Sequence, residues 1–212
     1  MSERIKKGEL KMEEIIINQH LKTYLIGAME STNAKDEGVG WRSRLRPELE
    51  KRIDQDGNPV YVFDPTLHEE EKVGMPTKEF HKQMDNWISR GDLEKVRDGM
   101  DYIWRGKTYT TEDEDGTEHQ HHILGDIDYV RKSDFLILNI DPGDRPCGTY
   151  AEAFLAFERK IPIYMIQNMP LKDYNKSLLG FVLASEGAIF PNQKQLLEFL
   201  DKKYKLKIKK EK

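Results

Sequence analysis

The stretch LNIDPGDRPCGTYAEAFLAFERKIPIYMI, residues 138–166, holds a strand, a loop, a helix and a second strand in order. The apolar run over 135–140 ends in acids, glycine and proline, which break a strand. Cys147, Gly148 and Thr149 make a small-residue turn. A run with helical spacing follows, in which Ala151, Phe154, Leu155 and the pair Phe157 and Glu158 divide inside from outside. IPIYMIQ, residues 161–167, is apolar throughout and reads as a strand buried on both faces. Parallel strands need such a helical crossover. Glu152 then falls in the first turn of the helix, at the mouth of the unit.

The same alternation extends in both directions. KTYLIGAM, 22–29, is a buried strand ending in small residues, and ESTNAKDEGVG is a polar loop. WRSRLRPELEKRID, 41–54, is a helix by the spacing of Trp41, Leu45 and Leu49, with Pro47 marking a kink or a late start. PVYVFDP, 59–65, is a further strand. Helical spacing recurs through Phe80, Met84, Trp87, Ile88 and Leu93, and RGKTYTTEDEDGTEHQHH reads as a polar hairpin or a loop. Ile123, Ile127 and Val130 space a short helix ahead of the strand FLILNID. SLLGFVLASEG is a helix stopped by Gly187, AIF a short edge strand, and NQKQLLEFLDKKYK a last helix with Asn192 as its cap. Apolar strands alternating with helices predict an α/β fold. It is a doubly wound, flavodoxin- or Rossmann-like, mostly parallel sheet of about five strands with helices on both faces.

Composition narrows the class. The chain has 212 residues, 37% hydrophobic and 34% charged, with a net charge of −4, so bulk electrostatics call for no nucleic-acid partner. The single cysteine excludes an internal disulfide and fits a reducing compartment. MSERIKKGELKMEE has no apolar signal core, and no run approaches the roughly 20 apolar residues of a membrane helix. The expectation is a cytoplasmic protein without a membrane partner. Residues 1–20 read as a charged arm, 21–205 as one domain, and 206–212 as a basic, solvated tail.

Open α/β sheets bind ligands at the carboxyl ends of their strands. That places Gly27 and Met29, Asp64, and the Asp141, Asp144, Arg145, Gly148 and Thr149 loop at the candidate site. Free N–H groups at the helix start favour an anion or polar ligand. Thr149 and Glu152 also have the spacing of a capping box, and the bare pattern favours that reading of Glu152. Trp41 and Arg42 have planes that stack on bases, although packing against the sheet is the simpler role for Trp41. GVGW lacks the lysine and hydroxyl of a P-loop, and the Gly-x-Gly-x-x-Gly of dinucleotide folds is absent. His119, His121 and His122 have no cysteine or well-spaced acid to complete a metal set, so neither metal nor cofactor is expected. Cys147, at a helix start, has no histidine near in sequence to make it a nucleophile.

YLIGAM, followed by DIDYVRKSDFLILNIDPGDRPCGTYAEAFLAFERKIPIYMI and GAIFPNQKQLLEFL, resembles the nucleoside 2-deoxyribosyltransferase family in block order and spacing. The resemblance covers about half of the chain and includes the Gly-x-x-x-Glu spacing from Gly148 to Glu152. It implies transfer of 2-deoxyribose between nucleobases through a covalent glutamyl–sugar intermediate. Glu152 would be the nucleophile, Asp126 the acid that contacts the base or shares its proton, and Tyr24 a hydroxyl beside the nucleophile. It also implies a homo-oligomer, with 66–122 as an inserted lid or subunit contact. One departure stands out. The family often has an acid two residues before the glycine, and here that position is Pro146, with Asp141 or Asp144 as unaligned substitutes. Arg145 is either a solvated loop charge or a phosphate ligand. In the second case the reaction is hydrolysis of a deoxynucleoside 5'-monophosphate. A protein that binds a nucleotide without turnover is the alternative outside enzymes.

Overall fold

The computed structural model describes residues 20–29, 39–113 and 115–209. The arm over 1–19, the loop over 30–38 and residues 210–212 lie outside the described residues, and so do the readings made for them.

Strand β1 (Lys22–Ile26) is followed by helix α1 (Val39–Glu50) and strands β2 (Arg52–Ile53) and β3 (Tyr61–Phe63). Three helices come next: α2 (Pro65–Val73), α3 (Thr77–Arg90) and α4 (Leu93–Arg105). A hairpin of β4 (Lys107–Glu112) and β5 (Glu118–Ile123) leads to α5 (Asp126–Lys132). The chain then runs through β6 (Phe135–Asn139), α6 (Cys147–Glu158), β7 (Ile163–Ile166), a short 3-10 turn (Leu171–Asp173) and α7 (Lys176–Ala184). It finishes with β8 (Ala188–Phe190), α8 (Gln193–Lys203) and β9 (Lys207–Ile208).

Five strands form one parallel sheet in the order β3-β1-β6-β7-β8. This is the doubly wound α/β architecture expected from the alternation. Side chains on a strand point alternately to opposite faces, and the two faces are covered differently. Tyr24, Ile26, Leu136, Leu138 and Met165 pack with Val130, Ala153, Ala156 and Val182 from α5, α6 and α7. Leu25, Phe135, Ile137, Tyr164 and Ile166 pack with Leu45 and Leu49 of α1 and Leu196, Leu197 and Leu200 of α8. A third, smaller cluster of Phe80, Met84 and Ile103 joins α3 to α4. Among the described residues no helix is long and apolar enough to cross a membrane.

The strand order positions the site. From β1 the chain crosses to β3 on one side and only later reaches β6 on the other, so the order switches between β1 and β6. Crossovers leave that point on opposite faces, and a crevice opens above the strand ends. Gly27 sits at this edge. A Cβ there would lie 2.4 Å from the Asn139 carbonyl oxygen and 3.1 Å from the Trp41 ring, so only glycine lets β1 and β6 end so close together.

Several expectations change. Helix α1 starts at Val39 and runs through Pro47, so proline does not mark a late start. Ile123 closes the hairpin opposite Lys107 instead of opening a helix. The left-handed residue after α7 is Glu186, at φ 59°, rather than Gly187. The basic tail is structured where it begins: Leu206 is buried, and β9 pairs antiparallel with β2. Arg52 of that ribbon donates to Asp201 at 2.7 Å. The largest change is in α6. Its inner face carries Thr149, Glu152, Ala153 and Ala156, while Phe154 and Phe157 lie outside against Phe181. Small residues let this helix approach the sheet closely, and size outweighs hydropathy in choosing the face.

Candidate functional site

Because α6 begins at Cys147, with Pro146 as its N-cap residue, Glu152 lies in the second turn. It therefore cannot form a capping box with Thr149, which is itself in the first turn. The inward rotation of α6 buries the acid, leaving 7% of Glu152 exposed. It faces a cleft of about 380 Å³ at the switch point, within the ~300–1,000 Å³ typical of small-molecule sites.

Asp126, the first residue of α5, lines the same cleft, and its side chain is 14% exposed. It is held there by its neighbours. Asp128 accepts hydrogen bonds from the Gly125 N–H at 3.2 Å and from His122 at 2.7 Å, which pins the start of α5 to β5. Gly125 in turn lies against Trp104 and Gly106: a Cβ would meet the Trp104 carbonyl oxygen and the Gly106 nitrogen at 2.4 Å. The end of α4 and the start of α5 are thus locked together, with Trp104 and Asp126 on the cleft.

The electrostatics are those of two carboxyls sharing a poorly solvated space. Burial, then the charge of Asp126, push the Glu152 carboxyl up to about 8, against the pull of Tyr24 and Arg42. Tyr24 is fully buried on β1, and burial, Asp126 and Glu152 raise its phenol well above the ordinary range. Among the described residues its hydroxyl has no hydrogen-bond partner, yet it lies close enough to Glu152 for each to perturb the other. It is a buried polar group aimed at the acid with unused bonding capacity.

Arg42 works from beneath. It is fully buried, donates from Nε to the Leu25 carbonyl at 3.2 Å and from Nη2 to the Gly27 carbonyl at 3.0 Å, and lies 4.6 Å from the centre of the Trp41 ring. It ties down the carboxyl end of β1 and adds positive potential under Glu152. Neither Arg42 nor Trp41 lines the cleft. Asp64 also stays outside it, accepting from the N–H and hydroxyl of Thr66 at 3.1 and 2.7 Å to start α2. Asp141 and Asp144 shape the loop before α6: Asp144 accepts the Asp141 N–H, and Asn168 donates to Asp141, Asn139 and Ile140. Gly27, Met29, Arg145, Gly148 and Thr149 do line the cleft beside Glu152 and Asp126. Arg145 is exposed at the mouth, with no ion-pair partner among the described residues.

No family model matches this chain, and no curated protein matches it either.

The opposite wall comes from α3 and α4: Phe80, His81, Met100, Ile103 and Trp104. Sequence spacing marked some of these as helical, but nothing in it aimed them at Glu152. The hairpin histidines are engaged elsewhere: His119 with Asp113, His121 with Thr111, and His122 with Asp128 and Thr108. Among the described residues no group of side chains is arranged to hold a metal ion.

Proposed function

We propose that the cleft cleaves the N-glycosidic bond of a 2'-deoxynucleoside and transfers the sugar to a second base, with Glu152 as nucleophile. The observation that carries the reading is the pairing of two carboxyls, Glu152 from α6 and Asp126 from α5, in one cleft with an aromatic, apolar far wall. An oxocarbenium-like centre favours a carboxylate that first stabilises it and then bonds to it.

The proton inventory suits this chemistry. At neutral pH the raised Glu152 carboxyl holds one proton; the leaving base needs one, and passing it to Asp126 frees the nucleophile. In the first step the Glu152 carboxylate bonds to the anomeric carbon as the carbon–nitrogen bond breaks. The bond's electron pair stays on the base, which takes the proton from Asp126. In the second step an acceptor base attacks the anomeric carbon, Glu152 leaves as carboxylate, and Asp126 recovers the proton. The Tyr24 hydroxyl, near enough to Glu152 for each to perturb the other, is the group available to orient the acid once the substrate settles.

Arg145 supports a second reading. A guanidinium beside the start of α6, with no ion-pair partner among the described residues, suits a 5'-phosphate, and water as acceptor would then give base and sugar phosphate.

Incubation with each 2'-deoxynucleoside and its 5'-monophosphate, with and without a second free base, separates the readings by chromatography. Transfer predicts a new nucleoside that disappears in Glu152→Ala. Free base from monophosphates alone, lost in Arg145→Ala, favours the hydrolase. Tight binding without product, unchanged in Glu152→Ala, would replace both with a binding role.

A further inference from the structure

Lys72 is a buried charge to which the steps above assign no role. It lies in the last turn of α2, and its side chain is 4% exposed. Its Nζ is 3.5 Å from Asp126 Oδ1, donates to the Ile103 carbonyl at 3.3 Å, and lies 5.0 Å from the centre of the Tyr129 ring. Carboxylate, carbonyl dipole and ring face are all partners for an ammonium group.

The geometry points to Lys72 as a positioning residue for the carboxyl pair: its ion pair keeps Asp126 as the carboxylate, so that in the empty cleft the pair's proton rests on Glu152. The role rests on the glycosyl-transfer reading, but its test does not. Two carboxyls in one enclosed cleft do not both ionise readily, so their surroundings must decide which does. The groups facing them are unevenly placed. Tyr24 from β1 and Arg42 from α1 lie toward Glu152, and Arg42 is committed to the β1 carbonyls. His68 of α2 is stacked on Tyr129 of α5, at 4.6 Å between ring centres. His81 of α3 and Arg145 line the cleft. Among the described residues Glu152 has no cation within ion-pair distance, whereas Asp126 has Lys72.

This arrangement has a catalytic consequence. A neutral Glu152 spares the cleft a second anion before substrate binds. When the proton shifts to Asp126, the adjacent ammonium makes that carboxyl a readier donor to the leaving base. Lys72 also ties the helices after β3 to the chemistry, because its partners lie on α4 and α5.

The test is an infrared titration of carboxyl bands in the full-length protein, run beside the pH–rate profile. The parent should show a carboxyl that deprotonates near pH 8, missing in Glu152→Gln. Lys72→Met should move that step up by about one pH unit or more, and Lys72→Arg should restore it. Lys72→Gln, which keeps a donor for Ile103, repeats the test if Lys72→Met does not fold. A step at the same pH in the parent and in the variant lacking the charge overturns the proposal. If no substrate is turned over, the glycosyl-transfer reading fails, while the titration still decides the role of Lys72.

Discussion

The two walls of the cleft are built on different principles. Glu152, Thr149 and Gly148 sit on a helix clamped to a parallel sheet that is buried on both faces. Phe80, His81, Met100 and Trp104 sit on helices whose shared core is a small satellite of Phe80, Met84 and Ile103. The first wall is rigid because every side chain beneath it is packed from several directions. The second is thinly supported, as expected of a surface that must admit a ligand. On the proposed reaction, a fixed nucleophile and an adjustable pocket would both gain from this division.

The comparison can be broken by truncating each core. Leu138 is fully buried in the sheet, and Leu138→Ala should cost about 3 kcal/mol in a single urea transition. Met84 is 7% exposed in the satellite cluster, and Met84→Ala should cost no more than about 2 kcal/mol, with amide exchange quickening first in α3 and α4. Equal losses with uniform exchange would show that the walls form one cooperative unit.

The walls also differed in how readily sequence exposed them. Apolar runs named β1, β3, β6 and β7 because buried parallel strands have no other spelling. Strand ends and the strand–loop–helix unit then pointed to Gly27, Arg145, Gly148, Thr149 and Glu152, and the resemblance added Asp126. Three features resisted. Phe154 and Phe157 suggested an inner face for α6, but close helix–sheet approach selects small residues, and this placed Glu152 inside. Arg42 read as a base-stacking group, yet the open carbonyls at the end of β1 claim its guanidinium. Lys72 reaches Asp126, and Trp104 the cleft, only because α2 and α4 pack against α5, and amphipathic spacing does not state which neighbour a helix face will meet.

The buried acid on the rigid wall makes a prediction in pH. Folding raises the Glu152 carboxyl to about 8 from its ordinary range. The folded state therefore binds more protons than the unfolded one between roughly pH 4.5 and 8. Stability from this group is fully present below that window and is lost as pH rises through it. Glu152→Gln removes the slope, so the variant should gain on the parent by about 3.5 kcal/mol between pH 5 and pH 8 in urea titrations. Parallel stability curves would mean that Glu152 is ionised in the folded protein, and the one-proton inventory would fall with it.

The smallest effect belongs to the thin wall and is the most specific. The Trp104 ring lies across the mouth from the start of α6, where a Cβ added to Gly148 would sit 3.5 Å from it. That spacing leaves no room for a base between them, but a planar base entering the cleft would stack on the free part of the indole, and such stacking contributes about 1–3 kcal/mol. On the proposed reaction, Trp104→Ala should raise KM about tenfold while kcat changes little, since the ring would touch the base and not the reacting carbon. Gly148→Ala makes the counterpart: its methyl meets the ring at ordinary contact distance, so it narrows the mouth without moving Glu152. It should weaken purine substrates more than pyrimidines if the base lies there. A fall in kcat at constant KM in Trp104→Ala would instead make the indole a support for Asp126, reached through the Gly106–Gly125 contact.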